Sequence, residues 1–139
     1  ICIYPCSDQG YEKIIHSIKK VKHQTRKGSI YLFKNIESKL YINLLRHSSF
    51  FIGNTSSGII EAPYLKKIFL NVGFRQMKRL QDNNVLNIKN TKKINSLISK
   101  IEKMKTPKMK NIYGRGDASI KSIKIIKKLL KLKIKIKKH

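Results

Sequence analysis

Short runs of β-branched and aromatic residues alternate along this chain with stretches whose apolar residues recur at helical spacing, and that alternation leaves few architectures open. Ile1-Cys2-Ile3-Tyr4, Ser29 to Phe33, Phe50-Phe51-Ile52, Ile68 to Asn71 and Val85 to Ile88 read as strands. Strand and helix in alternation imply a parallel sheet, because a crossover must carry the chain back to the same edge before the next strand begins. The reading is an α/β fold, a Rossmann-like parallel sheet with helices on both faces. A chain of 139 residues is long enough to bury a core of that kind.

The helices are placed by their apolar stripes. After a loop from Pro5 to Gly10, the residues Ile14, Ile15, Ile18 and Val21 sit at core spacing. A second helix starts at Glu37 or Ser38 and turns Leu40, Leu44 and Leu45 inward. Thr91 to Lys103 forms an amphipathic helix with Ile94, Leu97, Ile98 and Ile101 inside, ended by Thr106-Pro107. A Gly-rich loop, Tyr113 to Gly116, precedes a last long helix whose pattern holds to about Leu130; Leu132 to Lys137 then alternates with period two. The chain thus divides into a domain over residues 1–126 and a basic helical extension or tail over 127–139.

Between the third strand and the next helix lies Gly53-Asn54-Thr55-Ser56-Ser57-Gly58-Ile59-Ile60-Glu61-Ala62-Pro63. A turn of small residues leaves backbone N–H groups and the Ser56 and Ser57 hydroxyls open to an anion, which the positive end of a following helix also favours. Glu61, one turn on, is misplaced for holding phosphate but suited to accepting hydrogen bonds from sugar hydroxyls. Phosphate plus ribose points to a nucleotide. The plainer alternative makes Ser56 and Ser57 an N-cap and Glu61 a solvated first-turn acid. Val72 to Asn84, with Gly73, Arg75 and Arg79, reads as a functional loop on the same sheet edge.

Asn54 to Pro63, Asn71-Val72-Gly73-Phe74-Arg75-Gln76-Met77-Lys78-Arg79 and Tyr113-Gly114-Arg115-Gly116-Asp117-Ala118-Ser119, in that order, resemble the carboxyl-terminal half of UDP-N-acetylglucosamine 2-epimerases. The resemblance runs from about Ile1 to about Ile126, so the chain reads as a fragment of a GT-B-type, two-domain enzyme. It implies that Ser56, Ser57 and Gly58 meet the diphosphate of UDP, that Glu61 holds the ribose hydroxyls, that Arg75 lies near the phosphates, and that the backbone around Ile36 meets the uracil edge. The catalytic acid and base carboxylates belong to the missing amino-terminal half, and no cofactor or metal is implied. The Gly-Ile-Ile-Glu-Ala-Pro and Gly-Phe-Arg-Gln forms look like the hydrolysing branch, which releases UDP and N-acetylmannosamine for sialic or related acid synthesis. The non-hydrolysing branch and other nucleotide-sugar enzymes of this architecture remain alternatives. Cys6 departs from the family's usual asparagine, and Arg115 and Asp117 from its aspartate and asparagine.

Charge supplies the rival reading. With 32 Lys and Arg against 7 Asp and Glu, the formal net charge is +25, a balance that ordinarily points to nucleic acid or an anionic membrane. Here the lysines spread over every helix face, and the excess of Ile, Asn and Lys matches the coding bias of an AT-rich genome. The reading is therefore a solvated basic surface with no specific nucleic-acid or membrane partner. Cys2 and Cys6 lack companions for a zinc site and suit a reduced, cytoplasmic protein, with Cys2 facing the core. His16, His23 and His47 fall on helices without surrounding motifs and read as surface residues. Homo-oligomerisation stays open.

Overall fold

The computed structural model describes residues 1–26 and 28–131. They divide between Leu44 and Leu45 into two compact units, and in both the strands run parallel, as the α/β reading requires. The whole period-two stretch, 132–137, and the end of the basic tail lie outside the described residues.

In the first unit, β1 (Cys2–Ile3) pairs in parallel with β2 (Leu32–Phe33), and the pairing extends through Cys2 N–H to Tyr31 O (2.8 Å) and Tyr4 N–H to Phe33 O (2.9 Å). The expected strand from Ser29 is shortened because Gly28 (φ 87°) turns the chain and Ser29 N–H closes onto Arg26 O. Between the strands runs α1 (Tyr11–Gln24), entered through Gly10 at φ 86°. Its expected core stripe is not buried: Ile14 is 50 % and Val21 52 % exposed. Two strands of two residues offer too little sheet to cover a helix of 14. Cys2 is half-buried, and burial pushes its thiol up. From Ser38 to His47, α2 carries the chain into the second unit, where Leu45 is buried.

The second unit holds a three-stranded parallel sheet, β3 (Phe51–Gly53), β4 (Phe69–Val72) and β5 (Val85–Ile88), with β4 central. Successive side chains of a strand point to opposite faces, and both faces of β4 are covered. On one, Ile68, Leu70 and Ile88 meet Ile101, with Leu97 and Ile98 of α4 (Ile94–Lys103) packed around them. On the other, Phe69 is fully buried beside α3 (Ser57–Ile60), and its ring centroid lies 5.1 Å from that of Phe51. This is the expected sheet with helices on both faces.

Two boundaries differ from expectation. The helix expected to run from Thr91 begins as a 3-10 turn over Thr91–Lys93, because the Asn90 side chain accepts from Lys92 N–H (2.9 Å) and holds the first turn tight. The helix after Gly53–Ser56 is only four residues long; a run of turns follows it to Lys66, whose φ of 54° redirects the chain so that Lys67 N–H reaches Ala62 O (2.9 Å). α5 (Ala118–Lys131) is the last described element, and no described helix is long and apolar enough to cross a membrane.

A Cβ on Gly58 would stand 2.3 Å from the Phe69 ring. Gly58→Ala is expected to cost about 2–3 kcal/mol through forced repacking, read from the urea midpoint. Lys66→Gly, which relieves a left-handed side-chain clash, is expected to gain up to about 1 kcal/mol in the same assay.

Candidate functional site

Parallel register brings the ends of β3, β4 and β5 together, with Gly53, Asn71 and Asn87 abreast. The loops after β3 and β4 therefore leave the sheet side by side, at the carboxyl edge where open α/β sheets bind ligands. The first carries Ser56 and Ser57, the second Arg75.

In the β3 loop, Ile59 and Ile60 N–H bond back to Ser56 O at 2.9 Å each, while Thr55 Oγ1 accepts from Ser57 N–H (3.3 Å). Ser56 makes no side-chain cap bond, so its hydroxyl is not spent as an N-cap. The N–H groups of Thr55, Ser56 and Gly58 have no partner among the described residues. Because α3 has only four residues, its dipole adds little. Any anion preference of this turn comes from the N–H groups and hydroxyls themselves.

Glu61 follows α3 directly, its N–H on Ser57 O (2.9 Å). Its side chain is half-buried, and Oε2 is shielded from solvent without a hydrogen-bond partner among the described residues. A shielded carboxylate oxygen without donors is costly unless something supplies one. Gly58, which the resemblance sets at the diphosphate, is buried against Phe69, and its carbonyl accepts from Asn84 Nδ2 (3.0 Å). Its lack of a side chain lets α3 lie close on β4.

Arg75 is exposed on the β4 loop, which leaves the strand through Gly73 at φ 84°. Its neighbour Gln76 is 3 % exposed and donates from Nε2 to Asn54 O at 2.9 Å, which joins the two loops. Gln76 Oε1 accepts from Arg79 (3.4 Å), and Gln76 O from Gln81 Nε2 (2.9 Å). Ile36 lies in the first unit, half-buried in the loop between β2 and α2. His16, His23 and His47 are exposed on helices, as expected.

Amide N–H groups without partners among the described residues, two serines and an arginine are thus carried by the two loops at this edge, with Glu61 just beyond the first of them. Residues 1–127 match the family described as UDP-N-acetylglucosamine 2-epimerase. The chain belongs to that family. It is 31 % identical over 131 residues to the UDP-N,N'-diacetylbacillosamine 2-epimerase (hydrolyzing) of Legionella pneumophila, covering 91 % of this chain and 33 % of that protein. It is 33 % identical over 124 residues to the Escherichia coli polysialic acid biosynthesis protein P7, covering 84 % and 31 %. Against the UDP-N-acetylglucosamine 2-epimerase of Neisseria meningitidis it is 38 % identical over 79 residues, covering 57 % and 20 %. The chain thus spans between a fifth and a third of the length of these curated relatives.

In this epimerase-family chain the supporting residues had no motif of their own. Asp82 is 5 % exposed and accepts from Asn83 N–H (2.6 Å), Lys110 N–H (2.9 and 3.0 Å) and Asn111 N–H (2.6 Å). It clasps the segment before the Tyr113–Gly116 loop, which Tyr113 Oη to Leu80 O (2.9 Å) and Tyr64 Oη to Gly114 O pin further. Asp117 pairs with Lys121 (2.8 Å) at the start of α5. The signal that could have exposed Asp82 is its Asp-Asn-Asn run just ahead of a strand, a turn-forming composition.

Burial pushes the Asp82 carboxyl up, but N–H bonds from Lys110, Asn83, Asn111 and Ile112 outweigh it and hold the group below its usual value. The native state therefore favours the carboxylate, so this stabilisation is present above the ordinary aspartate range and is lost as pH falls through the lowered folded value. Asp82→Asn is expected to cost about 1–3 kcal/mol near neutral pH. It should also flatten the acid limb of a Tm-against-pH profile.

Proposed function

We propose that this chain is the UDP-binding part of a hydrolysing UDP-N-acetylglucosamine 2-epimerase of GT-B-type architecture. The observation that carries the reading is Glu61 Oε2, shielded and without a donor one turn beyond a loop of unpaired N–H groups. The ribose hydroxyls of UDP supply the missing donors. Ser56, Ser57 and the loop amides take the diphosphate, and Arg75 adds its charge. The hydrolysing branch draws support from the name of the Legionella relative, and use of the product in sialic or related acid synthesis from that of the Escherichia coli protein.

In this scheme UDP leaves carbon 1 as carbon 2 gives up its proton, and water then adds to the unsaturated sugar with inversion at carbon 2. This chain's share is to stabilise the departing diphosphate. Fixed N–H and hydroxyl donors aimed at developing negative charge need no reorganisation during the step, and one such donor can be worth about 3 kcal/mol. The carboxylates that move protons belong to an amino-terminal half, so the chain alone binds UDP without turnover.

Calorimetric titration at about 150 mM salt, where long-range attraction to the basic surface is screened, tests the ribose contact by its sign. Removing a negative charge strengthens any mere attraction between the chain and a polyanion. Glu61→Ala is instead expected to weaken UDP binding about tenfold, and wild type to prefer UDP over 2′-deoxy-UDP while the variant does not. Tighter UDP binding by Glu61→Ala would refute the assignment.

A further inference from the structure

We infer that Gln76 is a positioning residue for the diphosphate, acting through the peptide between Asn54 and Thr55; this rests on the proposed UDP-binding reading for the nature of the natural ligand. Gln76 is buried in the β4 loop, at 3 % exposure between exposed Arg75 and half-buried Met77. Its Nε2 donates to Asn54 O at 2.9 Å, across the gap between the β4 and β3 loops. A peptide is planar and trans, so its carbonyl and the following N–H point in opposite directions. Holding Asn54 O against Gln76 therefore turns Thr55 N–H away from the interior, next to the unpaired N–H of Ser56. With that peptide flipped, the same turn would offer a carbonyl oxygen to the anion, replacing attraction with repulsion.

Gln76 is itself held at several points. Its carbonyl accepts from Gln81 Nε2 (2.9 Å), Gln81 exchanges bonds with Asn87 (2.8 and 3.2 Å), and Asn87 Oδ1 accepts from fully buried Asn71 (2.7 Å). A chain of neutral amides thus runs from the centre of the sheet to the anion turn. None of its members titrates in the physiological range, so the orientation it imposes does not change with pH. Arg79 approaches the remaining Gln76 oxygen at 3.4 Å, so the same side chain bonds the turn and a cation of the second loop.

The test is an NMR titration of the whole chain with inorganic pyrophosphate, UDP and uridine at about 150 mM salt, on wild type, Gln76→Met and Gln76→Glu. In wild type the Thr55 and Ser56 amides are expected to show saturable shifts with pyrophosphate and with UDP. Gln76→Met, neutral and close in volume, is expected to lose about tenfold in affinity for both with uridine binding unchanged. Gln76→Glu, which cannot donate to Asn54 O, is expected to lose at least as much. Unmoved Thr55 and Ser56 amides in wild type, or Gln76→Met binding pyrophosphate as wild type does, would overturn the inference; the first of these needs no folded variant. The two readings separate cleanly. Gln76-dependent pyrophosphate binding with no preference for UDP over 2′-deoxy-UDP retains this inference and removes the ribose contact. A Glu61-dependent UDP site indifferent to Gln76→Met does the reverse.

Discussion

The approach of α3 to β4, possible only because Gly58 presents no side chain to the Phe69 ring, sets the geometry of the second unit. Phe69 fills the space beneath α3, and Asn84 holds α3 from the other side through Gly58 O (3.0 Å) while bonding Lys67 O (3.1 Å). That fastening leaves the turn before α3 standing over the sheet's carboxyl edge, and it places Glu61 where its Oε2 is shielded. A short helix locked by packing does here what a long helix usually does by dipole: it fixes the direction of a few N–H groups.

Polar groups in this unit carry shape more than charge. Asn71, Gln76 and Asn84 are each nearly or fully buried, and their amide N–H groups bond Asn87 Oδ1, Asn54 O and Gly58 O, while the side-chain oxygens of Asn71 and Asn84 have no partner among the described residues. Buried polar groups are costly when unpaired and rigid when paired. A core of apolar residues alone, such as the one around Leu70 and Ile101, tolerates small slides that a network of this kind does not.

The scarcity of acids makes the buried ones informative. In a chain of net charge +25 with 7 acidic residues, a carboxylate placed inside could pair with any of many lysines, yet Asp82 spends its oxygens on backbone N–H groups. The described lysines other than half-buried Lys67 are exposed, where water and salt screen their mutual repulsion. Excess charge in this protein is therefore a property of the solvated surface, and the interior chemistry is nearly independent of it.

Much of this was legible in the order of residues. The strand-forming runs, the parallel α/β class and the covered faces of β4 follow from periodicity; Ser56, Ser57 and Glu61 became candidates through a small-residue turn, and Arg75 through the family motif around it. Other features depended on contacts between distant residues. The α1 stripe at Ile14 and Val21 has the right spacing for a core, but its sheet is too small to cover it. Gly58 sits in the anion motif by sequence and against Phe69 in space. Gln76 stands inside a motif and Asp82 and Asn84 in a turn-forming run, but no local pattern shows what they hold, because each has a partner 22 to 29 residues away in the chain. Local pattern determines which groups face the edge of a sheet; only the closed structure determines which of them are held still, since a hydrogen bond across loops exists only after the sheet has brought those loops together.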